Sequence, residues 1–130
     1  DGNAYSRALF QKCHPEYAQQ YELDPLFTGN YARTDTLFSI EVFEHIDDAG
    51  LDAIMKKVRE DVVPRCIVFS STPHTDPHPN WDMQWGHINI KQPEQWDNFF
   101  AGYGFERQVN LKPPITEWAA IYRNTRMGHT

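Results

Sequence analysis

The sequence predicts an α/β fold: a mostly parallel sheet with a C-terminal antiparallel hairpin, in a single domain spanning residues 1–130. Three observations lead there. Two short runs, 36–43 (TLFSIEVF) and 65–70 (RCIVFS), are nearly continuous in apolar, β-branched and aromatic residues. That is how a strand buried on both faces of a parallel sheet reads. Between them Leu51, Ile54, Met55, Val58 and Val62 fall at helical spacing, a stripe for one buried helix face. Further on, two more strands are separated by the short turn Lys112-Pro113-Pro114, and strands joined so closely pair antiparallel.

Taken in order, residues 3–13 read as a helix with Asn3 as its N-cap and Tyr5, Ala8, Leu9 and Cys13 on one face. His14-Pro15 ends it, because proline disfavours helix at the residue before it. Residues 16–33 are ambiguous; 21–23 fit a short strand, and Asp24-Pro25 and Gly29-Asn30 are turn signals. After the first buried strand, Asp47-Asp48 caps a helix over 49–62, and Pro64 stops it. The second buried strand opens into an irregular stretch, 71–91, with three of the six histidines and two of the four tryptophans. A loop this long inside a compact domain is usually functional. Gln92-Pro93 starts a further helix with Trp96, Phe99, Phe100 and Tyr103 on one face and Gly102 and Gly104 at its end. Residues 105–111 alternate as a half-exposed strand, and 117–123 (EWAAIYR) form the last strand.

Composition narrows the function classes. The net charge is −6, and the densest basic stretch, Lys56, Lys57 and Arg59, lies beside Glu60 and Asp61. That argues against a nucleic-acid partner, which needs a basic surface. No run approaches the ~20 apolar residues of a membrane span, so no membrane partner is expected. Cys13 and Cys66 fit no metal spacing, which favours buried thiols over a disulfide and a cytoplasmic location.

Three motifs carry a resemblance. One is 38–46 (FSIEVFEHI), the next 67–73 (IVFSSTP), and the last 85–89 (WGHIN) followed by Gln95-Trp96 and Gly104-Phe105. In this order and spacing, over residues 34–124, the chain resembles the class I S-adenosylmethionine-dependent methyltransferases. FSIEVFEHI is similar to the EVxEH segment at the end of that family's fourth strand. IVFSSTP is similar to its fifth strand and the exit from it, and WGHIN with the residues after it to the family's GH(I/V)N, W…F and GF series. The resemblance implies a Rossmann-like methyltransferase sheet whose N-terminal strand-helix, with the glycine-rich turn beneath the cofactor, is missing from this chain. The usual PGG before the fifth strand is also replaced, by Val63-Pro64-Arg65.

The resemblance further implies S-adenosylmethionine as cofactor, with Asp1, Ser39 and Glu41 on its side, and methyl transfer to a small-molecule or glycan acceptor. Ligands of open α/β sheets bind beyond the carboxyl ends of strands. Glu41, His45 and His87 are the expected catalytic residues there, and Glu44, Trp85 and His87 the expected acceptor contacts. Trp96 reads as core, and His74 and His78 as solvated beside their prolines. The same Glu41, Glu44, His45 and His87 have the residue types of the metal site in small-RNA 2′-O-methyltransferases. Against a metal, glutamates three apart on one strand would point to skewed faces, so no metal is expected. A non-catalytic, degenerate or partial methyltransferase-fold module stays open as the alternative, and a metal-assisted RNA 2′-O-methyltransferase ranks behind it.

Overall fold

The computed structural model describes residues 4–16, 32–75, 77–78, 80 and 86–127. The chain divides into two compact units, 1–31 and 32–130. The first contains helix α1 (Ala4–Cys13). Tyr5 and Leu9 on it are exposed, as is Cys13.

The second unit carries a four-stranded sheet. Its elements are β1 (Thr36–Ile40), a 3-10 turn (Phe43–His45), α2 (Asp48–Lys57), β2 (Cys66–Ser70), α3 (Pro93–Ala101), β3 (Phe105–Arg107) and β4 (Ala120–Asn124). The strand order is β1-β2-β4-β3. β1 and β2 are adjacent and parallel, with Thr36 opposite Cys66 and Ile40 opposite Ser70. β3 and β4 pair antiparallel, as the short turn implies, but β4 also pairs antiparallel with β2. Two of the three pairings are therefore antiparallel, and the mixed sheet corrects the mostly parallel one expected. The cause is the path of the last strand, which returns between β2 and β3 instead of adding at the edge.

Local chemistry explains the helices. The Asp47 side chain accepts the Gly50 amide over 2.8 Å and starts α2. A π turn, Val58–Val62, continues it, and Val63 closes it in a left-handed conformation before Pro64. Leu51, Met55, Val58 and Val62 are buried along the expected stripe. α3 opens with Pro93, and the Gln92 amide donates to Gln95 Oε1 over 2.8 Å. Trp96 and Phe100 on α3 pack against Phe69 of β2, and Phe100 against Tyr122 of β4. Phe43 joins this aromatic core from the 3-10 turn that follows β1.

The opposite face of the sheet departs from expectation. Phe38, Val68 and Ile121 stand in one row across β1, β2 and β4. Phe38 is 66% exposed, and Val68 and Ile121 are half-buried. β1 is thus buried on one face only, not on both. Cys66 is half-buried and, like Cys13, a free thiol. Among the described residues no helix is long and apolar enough to cross a membrane.

Two polar clasps finish the sheet. Asn124 donates its side-chain amide to the Pro64 carbonyl over 3.0 Å and its backbone amide to the Arg65 carbonyl over 2.8 Å. Tyr103, just beyond α3, donates to Asp52 of α2 over 2.6 Å. Burial first, and the Asp52 carboxylate second, push the Tyr103 phenol up to about 12.

Candidate functional site at the ends of β1 and β2

β1 and β2 end side by side because they run parallel, and the chain turns sharply at the exit of β1. Glu41 leaves β1 in a left-handed conformation, with φ of 53°. For a residue with a Cβ this costs roughly 1–2 kcal/mol. Its amide donates to the Ser70 carbonyl over 2.7 Å. The Ser70 hydroxyl donates to Glu41 Oε2 over 2.9 Å, and the Trp118 indole donates to the same oxygen over 3.3 Å. Ser70 has one hydroxyl hydrogen and spends it on the carboxylate. The Thr116 hydroxyl, 2.8 Å away, is therefore the donor to Ser70 Oγ. Glu41 Oε1 takes part in none of these bonds.

The 3-10 turn then carries Glu44 inward and leaves His45 outward. Glu44 is 1% exposed, a burial that a carboxylate tolerates only with partners. Ser71 Oγ supplies one, donating to Oε2 over 2.7 Å. Consecutive serines at the end of β2 thus hold two carboxylates three residues apart. The Glu44 carbonyl accepts the amides of Ile88 and Asn89, over 2.9 and 3.0 Å. The Asn89 side chain donates to the Ile46 carbonyl and to Asp48. The Asn89 hydrogen bond, together with Lys91, holds the Asp48 carboxyl below the usual carboxylate range. These bonds draw the end of the long loop over the exit of β1.

The imidazoles meet there. His45 Nδ1 lies 3.1 Å from the Gly86 carbonyl. Gly86 presents it from a positive φ of 72°, a conformation natural to glycine. A carbonyl only accepts, so Nδ1 carries the hydrogen. His45 Nε2 then faces Glu44 Oε1 at 3.6 Å. The His87 ring packs 4.9 Å from that of His45. One ligand atom each of Glu44, His45 and His87 lies within 4.8 Å of the others, the cluster of this kind found among the described residues. Its members could hold a divalent metal. Glu41 is not in it.

The expected residues therefore divide. Glu41, Glu44, His45 and His87 gather at the strand ends, although the two glutamates belong to different hydrogen-bond systems. The turn after Ile40 removes the difficulty of glutamates on one strand pointing apart, because neither lies on the strand. Ser39 is buried in β1, and among the described residues its hydroxyl has no hydrogen-bond partner. Asp1 and Trp85 lie outside the described residues. His74 is exposed, but its ring meets the Trp118 indole edge-on at 5.3 Å. Trp96 is core, 2% exposed.

Sequence reasoning missed Ser70, Ser71, Thr116 and Trp118 as site residues. The two serines stand within IVFSSTP, and a hydroxyl pair at a strand exit was the available signal. Trp118 gave none, since a tryptophan in an apolar stretch reads as core.

No protein-family model, curated protein or solved structure matches the chain.

Proposed function

We propose that the chain belongs to an S-adenosylmethionine-dependent methyltransferase of Rossmann-like fold, acting on a small-molecule or glycan acceptor. The observation that carries the reading is the convergence of Glu41, Glu44, His45 and His87 at the carboxyl ends of a parallel strand pair joined through α2. Open α/β sheets bind ligands at that place. The antiparallel β3–β4 pair beside it and the three motifs in order agree with the same family layout.

The cofactor supplies an activated methyl group on a cationic sulfonium. Transfer then asks mainly for positioning, exclusion of water and removal of a proton from the acceptor. Glu41, with Oε2 engaged and Oε1 outside that network, suits a cationic or hydrogen-bond-donating ligand group. His87 and His45 are the groups at hand to take a proton from an acceptor hydroxyl. Buried Glu44, with Oε1 3.6 Å from His45 Nε2, would stabilise the imidazolium formed when that ring takes up a proton. The net charge of −6 favours a small or glycan acceptor over RNA.

Calorimetry of the full gene product with S-adenosylhomocysteine tests the reading. Saturable one-site binding is expected; absence of binding at any cofactor concentration favours a non-catalytic module.

A second reading has its own observation. His45 donates from Nδ1 to a backbone carbonyl, the outer-sphere bond that metal-ligating histidines commonly make, and turns Nε2 toward Glu44 Oε1. A divalent cation on Glu44, His45 and His87 would activate an acceptor hydroxyl directly. Manganese titration followed by electron paramagnetic resonance separates the two: a bound signal lost in His87→Ala supports the metal, and unbroadened free manganese throughout excludes it.

A further inference from the structure

Glu41 is held from the far end of the chain. β4 runs antiparallel to β2, so its first residue, Ala120, lies opposite Phe69. The residues just before Ala120 must pass the exit of β2, and the exit of β1 lies beside it. The Ala119 amide donates to the Thr116 carbonyl over 3.3 Å and curls this segment into a turn. From the turn, Thr116 reaches Ser70 and Trp118 reaches Glu41. The chain of donors is one-directional: Thr116 hydroxyl to Ser70 hydroxyl to Glu41 Oε2, with the Trp118 indole as a second donor on the same oxygen. Both donors are neutral and both fall on Oε2. The network therefore fixes the plane and direction of the carboxylate without cancelling its charge, and among the described residues it leaves Oε1 outside it.

We propose that Trp118 and Thr116 are positioning residues for Glu41, aiming Oε1 at the cationic or hydrogen-bond-donating group of the ligand bound at the strand ends. The inference rests on the reading of Glu41 as a ligand-facing carboxylate. It adds the β3–β4 connection to the site and assigns that connection's tryptophan a task no local pattern discloses. His74, just beyond β2, packs edge-on against the same indole and adds a second support for the ring's orientation beside the bond to Glu41.

The test uses the full gene product and the variants Trp118→Phe, Thr116→Val, Glu41→Gln and the Trp118→Phe/Glu41→Gln double. Phenylalanine keeps an aromatic ring and removes the N–H. Two readouts are taken: affinity for S-adenosylmethionine by calorimetry, and the indole Nε1–H resonances in the nitrogen-15 NMR spectrum. The Trp118 resonance is the one lost in Trp118→Phe. It is expected to move in Glu41→Gln, which exchanges a charged acceptor for a neutral one, while the other indoles hold. Trp118→Phe is expected to weaken binding about tenfold, and the double variant to bind no more weakly than Glu41→Gln alone, because coupled partners are not additive. Thr116→Val, the milder change, should weaken binding in the same direction and serves if Trp118→Phe does not fold.

Unaltered affinity in both Trp118→Phe and Thr116→Val, or a Trp118 resonance indifferent to Glu41→Gln, overturns the proposal. If the wild-type protein binds no S-adenosylmethionine, the methyl-transfer reading fails by itself. The resonance then decides the positioning role alone, supporting it if it moves and overturning it if it does not.

Discussion

Glu41 joins a strained backbone to a carboxylate whose two oxygens are treated differently. Strain of this kind survives where the surroundings over-determine it, and such places cluster at functional sites. Glu41→Gln keeps the shape and removes the charge. If the residue faces the reaction, kcat/KM should fall at least tenfold, about 1.4 kcal/mol of transition-state stabilisation, with a melting shift of a few degrees. A fully active but less stable variant would make Glu41 structural and leave His87 as the better candidate. Tyr122 serves as a contrast, with a purely structural bond. It is 1% exposed and donates to Asp97 over 2.7 Å, and burial and that carboxylate push its phenol up. Tyr122→Phe should cost about 1.5–3 kcal/mol, the range for a hydrogen bond to a charged group, measured by urea denaturation with ligand binding intact.

At the level of elements, the caps and clasps make equally direct expectations. Asp47→Ala removes the acceptor that starts α2 and should cost about 1 kcal/mol, seen as a lower urea midpoint at unchanged slope. Asn124→Ala strips the buried Pro64 carbonyl of its donor and should cost about 1–3 kcal/mol. How legible these elements were depends on the range of the signal. α2 could be read, because Leu51, Met55, Val58 and Val62 form a stripe that any neighbour would have to bury. The parallel β1–β2 pair could also be read, from two apolar runs flanking that helix. Strand ends were less legible: β1 stops at Ile40 because Glu41 turns left-handed, and β3 is three residues long where alternation ran on to Leu111. Sheet order was not legible at all. Whether β4 adds outside β3 or wedges between β3 and β2 depends on pairings across the fold, and alternation of side chains is the same in both. The site followed the same rule. Glu44, His45 and His87 announced themselves by residue type beside strand exits, whereas Trp118 acquires meaning only once β4 brings it to Glu41.

For the molecule as a whole, the Tyr103–Asp52 bond ties helix to helix and has a sign in pH. The phenol ordinarily titrates near 10 and is raised to about 12 in the fold. The folded state therefore keeps its proton where the unfolded chain has released it. The stabilisation is complete below pH 10 and is lost as pH rises through 12. Melting temperature should decline across that window, and Tyr103→Phe should flatten the part that this bond contributes, leaving whatever Tyr122 adds. The wedged position of β4 has a consequence in time. Among the described residues, β3 pairs with no strand but β4, and β2 finds its second neighbour there. As the ribosome delivers the chain, β1, α2 and β2 can associate early, since the contacts are near in sequence. β3 emerges with no strand to join. It must wait until residues 120–124 are free to slide into the gap, and the aromatic core waits with it for Tyr122. Closure of a long loop precedes any reward from these pairings, which makes this the slow step of folding. A nascent chain arrested before Ala120 should give a protease-resistant fragment without β3, and the Glu41 carboxylate in it would still be unaimed.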